Sequence, residues 1–295
     1  MKSLGRLLTA MITPFDADGA VDVAEAVRVA QFLIDRGNDG LVISGTTGEA
    51  PSLETDEKLA LFGSIKAALG SRATVIAGTT GNNTRHSVEL TKEAERTGVD
   101  GILAVVPYYS KPPQDGLLAH FGAIAEATTL PIVLYNIPGR TGVNMLPETV
   151  HELARRHPNI AGIKESTGNA EQFTALLRGR ARDDFAVYSG DDYFYLPALA
   201  LGADGLVSVA AHVCGTALRE LGDAFRAGKV EAAARYHADL TPLFSALFAH
   251  PSPIPVKWAM NEFGFKAGAC RPPLGAMPDV LKSVLRPLIA PYRPG

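Results

Sequence analysis

Short apolar runs and longer amphipathic segments alternate along this chain. The runs are rich in Val and Ile, and their apolar residues are continuous instead of alternating with polar ones. Strands of a parallel sheet have this pattern, because helices cover both faces of such a sheet. The pattern predicts eight strands, at residues 7–12, 40–44, 74–78, 101–106, 132–135, 160–164, 185–188 and 205–209.

Residues that start and stop helices flank the amphipathic segments. The predicted helices include residues 23–36, 84–97 and 148–156. The first follows Asp22, a good N-cap, and ends before Gly37. The second ends before Gly98, and the third follows Pro147, a favoured residue of the first helical turn.

The alternation of strands and helices predicts one large barrel. Eight strands, each followed by a helix, are typical of the (β/α)8 or TIM barrel. The alternative is an open doubly wound sheet, which usually has fewer strands and a Gly-rich dinucleotide turn that this chain lacks. From about Gly215 onward only helices are predicted, with a break at the prolines of 251–255. We therefore predict a catalytic barrel over 1–225 and a short C-terminal helical extension over 226–295.

Composition excludes several classes of partner. The 295 residues carry a formal net charge of -3, so no basic excess indicates nucleic acid. No apolar run approaches the roughly 18 residues that a membrane helix needs. Pro14 follows the short first run, which favours a strand over a signal peptide. Cys214 and Cys270 form no C-x-x-C pair, and two cysteines in so long a chain are typical of the reduced cytoplasm.

The carboxyl ends of barrel strands form the active site in this fold class. Polar groups follow five of the predicted strands there: hydroxyls, one lysine and one arginine. They stand in Gly-Thr-Thr-Gly-Glu at 45–49, Pro-Tyr-Tyr at 107–109, Tyr-Asn-Ile-Pro-Gly-Arg-Thr-Gly at 135–142, Lys-Glu-Ser at 164–166 and Ser-Gly-Asp-Asp at 189–192.

Lys164 is the most informative of these residues. It ends an apolar run, and a partly desolvated amine is a better nucleophile toward a carbonyl. The alternative is a lysine at the barrel rim that pairs with a carboxylate. Tyr135 ends the neighbouring strand and can supply the proton transfers of imine formation, while Thr46 and Tyr109 can pass the proton onward. Taken singly, each of these residues more often has a structural role. The presence of all four at strand ends indicates imine chemistry.

Arg140 follows a Pro-Gly turn and suits bidentate binding of a carboxylate. A surface arginine is the alternative. Thr47 and nearby backbone amides can bind a second carboxylate. Two carboxylate-binding groups around one lysine indicate a keto acid and an acidic partner as substrates.

Other chemistries lack their motifs. The seven histidines form no H-E-x-x-H pair, and His151 and His157 flank an ordinary helix. Gly228 and Lys229 lack the spacing of a phosphate loop, and no G-x-S-x-G elbow occurs. We therefore expect no metal, no separate cofactor and no serine nucleophile.

The strand-end motifs and Pro-Ile-Pro-Val-Lys at 253–257 resemble, over nearly the whole chain, the pyruvate-dependent class I aldolase family. This family contains the dihydrodipicolinate synthases and N-acetylneuraminate lyases. The resemblance implies that Lys164 forms the imine, that Tyr135 donates and accepts the proton, and that Thr46 and Tyr109 are relay partners. It also implies a homotetramer in which Tyr109 reaches the neighbouring subunit's site.

The same resemblance assigns residues to the substrates. Thr47 binds the pyruvate carboxylate, the Val207 backbone lines the pyruvate pocket, and Gly190 forms its floor. Asn-Ile-Pro-x-Arg-Thr-Gly resembles the synthase subgroup, since the lyases generally lack the arginine. Arg140 is then expected to bind the carboxylate of aspartate semialdehyde, in lysine and diaminopimelate biosynthesis.

Feedback inhibition by lysine is a further property of some family members. Tyr108 and Asn82 match the lysine site of sensitive enzymes. Lys58 stands where sensitive bacterial enzymes tend to carry histidine, and His86 where they tend to carry glutamate. The resemblance therefore implies a degenerate lysine site.

Two other functions stay open at this stage. One is a sister aldolase that acts on a sugar acid, against which Arg140 argues. The other is a catalytically silent barrel that binds a small acid, against which the intact set of Lys164, Tyr135, Thr46 and Tyr109 argues. A product assay with pyruvate and each candidate aldehyde separates them.

Overall fold

The computed structural model describes residues 4–294. Its strands are β1 (Leu7–Ala10), β2 (Gly40–Ile43), β3 (Thr74–Gly78), β4 (Gly101–Val105), β5 (Ile132–Asn136), β6 (Ile160–Glu165), β7 (Ala186–Ser189) and β8 (Gly205–Ser208). All eight are parallel and close into a barrel in chain order, with β8 paired to β1. The predicted (β/α)8 fold is confirmed.

Twelve α-helices lie in the described residues. They are α1 (Val23–Asp35), α2 (Thr55–Leu69), α3 (Thr84–Arg96), α4 (Gln114–Ala125), α5 (Pro138–Thr141), α6 (Pro147–Arg156), α7 (Ala170–Arg178), α8 (Tyr195–Leu201), α9 (Ala211–Arg226), α10 (Val230–Leu247), α11 (Ile254–Glu262) and α12 (Asp279–Ile289). Asp22 caps α1 by accepting a hydrogen bond from the Glu25 amide, as the sequence predicts. The helical region begins at Ala211, so the prediction of about Gly215 was wrong by one turn.

Two layers of apolar side chains form the core. Inside the barrel, one or two residues from each of several strands pack into a cluster that includes Leu8, Val42, Leu103, Tyr135 and Val207. Between strands and helices, a much larger cluster surrounds the barrel. Strands buried on both faces explain why the sequence runs are continuously apolar.

The C-terminal helices pack onto the barrel. α10 lies along α9 and α12 contacts α10, and their apolar residues, such as Leu243 and Phe244, belong to the same cluster as the barrel helices. The division at residues 225 and 226 stays a prediction. In residues 4–294 no helix is both long and apolar enough to cross a membrane.

Candidate active site

Lys164 lies at the carboxyl end of β6, between Tyr135 on β5 and Tyr188 on β7 in the barrel register. The residue is only 4% exposed, and its Nζ is 4.1 Å from the centre of the Tyr135 ring. No ion pair or hydrogen bond joins the amine to another residue of 4–294. The carboxylate-paired rim lysine considered from the sequence is therefore not what the structure contains.

Gly190 lies directly against the Lys164 side chain. A Cβ atom at Gly190 would stand 2.7 Å from Lys164 Cε and 1.9 Å from Ser166 Oγ, so any other residue there would force both side chains to move. The Ser166 hydroxyl is buried and has no hydrogen-bond partner in the structure. Sequence reasoning gave Ser166 no role, because nothing in the sequence indicates which hydroxyls lack partners.

Thr46 and Thr47 lie in a tight turn that follows β2. Ser44 and Glu49, which flank the turn, both have φ of 57°, a left-handed conformation that non-glycine residues rarely adopt. The Glu49 amide donates to the Thr46 carbonyl at 3.1 Å and closes the turn. Thr47 is buried, whereas Thr46 is half-buried and lines a cavity.

This cavity has a volume of about 450 Å³ and opens at the carboxyl end of the barrel. Thr46, Tyr135 and Arg140 line it together. Arg140 belongs to the short helix α5 and is exposed, and its guanidinium has no ion-pair partner in residues 4–294. A free guanidinium at the mouth of a cavity is suited to bind a carboxylate.

The four residues of the expected lysine site line another part of the same cavity: Lys58, Asn82, His86 and Tyr108. Burial lowers the pKa of Lys58, and nearby Glu54 and Glu57 oppose that shift. His86 Nε2 lies 3.4 Å from Thr55 Oγ1. The structure therefore brings these residues together beside Tyr135 and Arg140.

Asp192 fixes the β8 end of the site. Its buried carboxylate accepts hydrogen bonds from the Ser208 hydroxyl and from the amides of Val209 and Ala210. Burial raises the pKa of Asp192 to about 6, against the effect of these three donors. The contacts hold the loop after Gly190 next to Val207, which is itself buried in the barrel interior.

Tyr109 stands apart from the other predicted catalytic residues. It is 89% exposed, has φ of 73°, and is absent from the wall of the cavity. Contacts within this chain do not explain why a large aromatic side chain is so exposed and why its backbone has so rare a conformation. Thr46 and Tyr135 line the cavity, and Lys164, which is not part of the cavity wall, contacts the Tyr135 ring, whereas Tyr109 of the same chain is exposed outside the cavity.

A buried polar network behind the site was missed from the sequence. Glu165 accepts hydrogen bonds from Asn136 Nδ2 at 3.0 Å and from Gln172 Nε2 at 2.8 Å, and burial raises its pKa. Asn136 also donates to Asn144 and accepts from the Met145 amide. The network fixes the segment that carries Arg140. The sequence signal for this network is that Asn136 directly follows Tyr135 and that Glu165 directly follows Lys164.

Residues 4–294 contain no group of three His, Cys, Asp or Glu side chains that could hold a metal ion. The site instead offers a buried amine, a phenol, hydroxyls and a free guanidinium. These groups are those of imine chemistry on carboxylate substrates.

Sequence comparison identifies the family. The profile of the Dihydrodipicolinate synthetase family matches residues 3–289. The chain belongs to this family. A 4-hydroxy-tetrahydrodipicolinate synthase of Moorella thermoacetica is 54% identical over 270 residues, which cover 92% of this chain and 92% of that protein.

Solved structures of the family superpose closely. Dihydrodipicolinate synthase of Bacillus anthracis matches with a TM-score of 0.95 at 43% identity, over 98% of this chain and 99% of that one. The enzyme of Cyanidioschyzon merolae, determined with lysine bound, matches with a TM-score of 0.95 at 44% identity, over 97% of each chain. The resemblance drawn from the motifs is confirmed, including the barrel and the lyase class of its members.

Proposed function

We propose that this chain is a 4-hydroxy-tetrahydrodipicolinate synthase, which condenses pyruvate with L-aspartate 4-semialdehyde. The observation that carries the proposal is the buried, unpaired amine of Lys164 in contact with the Tyr135 ring at 4.1 Å. Relatives at about half identity, such as the Moorella protein, are named for this activity. The reaction belongs to the biosynthesis of lysine and diaminopimelate.

The proposed chemistry begins with imine formation. The Lys164 amine attacks the ketone carbon of pyruvate, and loss of water from the carbinolamine leaves an imine. The methyl carbon then loses a proton to give an enamine, which attacks the aldehyde carbon of the second substrate. Tyr135 donates and accepts the protons of these steps, with Thr46 and Tyr109 as relay partners. Pyruvate is held covalently, so the proposal includes no separate cofactor.

The substrates are held by groups around this amine. Thr47 binds the pyruvate carboxylate, while Gly190 leaves room beside Lys164 and the Val207 backbone lines the pocket. The space-limited position of Gly190 supports this assignment, because any side chain would displace the lysine. Arg140 binds the carboxylate of the semialdehyde from the mouth of the cavity.

Arg140→Ala tests the substrate assignment. Loss of a charge-assisted contact is expected to raise the KM for aspartate semialdehyde by about tenfold or more. Borohydride trapping with pyruvate should remain, because imine formation precedes use of the aldehyde. Arg85→Ala, which removes an exposed arginine from outside the cavity wall, is the matched control. Unchanged synthase kinetics in Arg140→Ala would refute the assignment of the aldehyde.

Assembly is proposed as a homotetramer in which Tyr109 enters a neighbouring subunit's site. The exposure and backbone conformation of Tyr109 support this arrangement. Isolated monomers should then be folded but inactive. Mixed assemblies of Lys164→Ala and Tyr109→Phe chains should regain activity that neither variant has alone, because one site of each mixed pair is intact. A folded, fully active monomer in dilute solution would contradict the proposal.

Lysine is expected to inhibit this enzyme weakly or not at all. His86 replaces the glutamate that pairs with a charged amino group of the ligand, and Lys58 adds a like charge nearby. Loss of one charge-assisted contact costs roughly 1.5–3 kcal/mol, which is more than tenfold in affinity. The measurement is an activity titration with lysine at saturating pyruvate.

The matched variant is Lys58→His with His86→Glu, which should gain sensitivity to lysine. Half-inhibition of the native enzyme at submillimolar lysine would show that the site tolerates Lys58 and His86.

We further infer a cytoplasmic location, which the free state of Cys214 and Cys270 supports.

A further inference from the structure

Glu49 and Lys257 end two of the sequence motifs, and the proposed chemistry gives neither residue a role. Their side chains meet in the structure although 208 residues separate them in the chain. Lys257 Nζ lies 2.8 Å from Glu49 Oε1, and the side chains are 2% and 1% exposed. Removing two charges from water is unfavourable unless hydrogen bonds compensate their polar atoms. The groups that surround the pair therefore determine whether it is stable.

The C-terminal extension supplies further hydrogen bonds to both partners. Glu49 Oε2 accepts from the Arg271 amide at 2.8 Å, and Lys257 Nζ also donates to the Ala269 carbonyl at 2.9 Å. The Lys257 amine further lies 3.9 Å from the centre of the Phe15 ring. Residues from α11 and the segment after it thus enclose the carboxylate of a residue that belongs to the β2 loop.

Arg271 attaches the extension to the same loop a second time. Its side chain donates to the Ser52 carbonyl at 2.7 Å and forms an ion pair with Glu57 at the start of α2. The Arg271 guanidinium also lies 4.3 Å from the centre of the Phe15 ring. The contacts of Lys257 and Arg271 therefore span the whole segment from Glu49 to Glu57.

Glu49 closes the turn that carries Thr46 and Thr47. Its amide bonds to the Thr46 carbonyl, and its own backbone has the left-handed φ of 57°. The turn packs closely against β1, since a Cβ at Gly48 would stand 3.1 Å from the Met11 carbonyl oxygen. A side chain that is bound at both oxygens can keep this unfavourable backbone conformation populated.

We propose that Lys257 and Glu49 are positioning residues through which the C-terminal extension holds Thr46 and Thr47 in place for pyruvate. The inference rests on the proposed function, in which Thr47 binds the pyruvate carboxylate and Thr46 relays the proton. Without the pair, Glu49 leaves the left-handed conformation and the Thr46–Thr47 turn moves away from Lys164. The enzyme then binds pyruvate less tightly, while the lysine nucleophile itself is intact.

The test compares Lys257→Met, Glu49→Gln and the double variant with the native enzyme. Each single variant leaves one charge buried without its partner, so both should lose thermal stability and pyruvate affinity. The double variant leaves no unpaired charge and should regain most of the melting temperature. Its half-saturation by pyruvate in borohydride trapping should nevertheless stay about tenfold above the native value, the effect of one lost hydrogen bond at a binding group.

Lys66→Met is the matched control. Lys66 pairs with Asp100 at 2.7 Å, and Asp100 directly precedes β4 at the opposite end of the barrel from the cavity. This variant should lose stability without a change in half-saturation by pyruvate. Lys257→Arg serves as a second test if the double variant is too unstable to measure. This variant keeps the positive charge but moves it, so it should fold and should raise the half-saturation concentration of pyruvate.

A native half-saturation in the double variant, or in a folded Lys257→Arg enzyme, would overturn the inference and leave the pair with a purely structural role. A failure of the proposed imine chemistry, on which the inference depends, looks different, because then the native enzyme itself takes no pyruvate label at Lys164. The two results are therefore distinguishable in the same trapping experiment.

Discussion

Replacing Lys164 with alanine is expected to lower turnover by roughly a thousandfold or more, since the variant cannot form the covalent imine. The side chain is buried and bonded to no other residue of 4–294, so its loss breaks no ion pair. The variant should remain folded, which circular dichroism and thermal melting can verify. The measurement is steady-state formation of product from pyruvate and aspartate semialdehyde.

Lys66→Ala controls for the loss of a lysine elsewhere, because Lys66 pairs with Asp100 away from the cavity. The control should keep native turnover per folded molecule. Turnover in Lys164→Ala that matched the control would show that a different group activates pyruvate.

Replacing Tyr135 with phenylalanine is expected to lower turnover by roughly a hundredfold or more, the usual contribution of a proton-transferring group. Phenylalanine keeps the ring that contacts Lys164 at 4.1 Å and removes only the hydroxyl. Imine trapping by borohydride should become slower and should still occur at Lys164. A time course of borohydride trapping with pyruvate measures the rate of imine formation, and steady-state kinetics measure turnover.

Tyr188→Phe is a close control for this change. Tyr188 lies on the other side of Lys164 in the barrel and belongs to the same interior cluster as Tyr135. Its hydroxyl donates to the Gly5 carbonyl at 3.0 Å, near the start of β1 and away from the cavity, and burial raises its pKa. Turnover should be native in Tyr188→Phe. Equal kinetics in the Tyr135 and Tyr188 variants would remove Tyr135 from the mechanism.

Local sequence pattern was sufficient to predict the barrel. Each strand is buried on both faces, so its apolar run is visible without knowledge of its partners. The start of α9 was predicted too late, because one of its first amides is capped by a residue that is distant in the chain. The Ala210 amide bonds to Asp192, 18 residues earlier, and the Ala211 amide bonds to the Ser208 hydroxyl. The residue at the N-cap position itself, Ala210, has no side chain that can cap the helix.

The candidate site was predictable only as far as strand order determines it. Tyr135 and Lys164 end neighbouring parallel strands, which places their side chains together in any barrel of this connectivity. The enclosure of Glu49 by Lys257 and Arg271 depends on how the C-terminal extension folds back over the barrel. A contact between residues so far apart in the chain leaves no trace in local pattern.

Borohydride reduction of the native enzyme in the presence of pyruvate shows whether Lys164 forms the imine. Reduction converts an imine to a stable secondary amine that carries the carbon skeleton of pyruvate. Proteolysis and mass spectrometry then locate the label. We expect one pyruvate-derived mass on Lys164, dependent on pyruvate and absent from Lys164→Ala. A label on another lysine, or none in the native chain, would contradict both the mechanism and the proposed function.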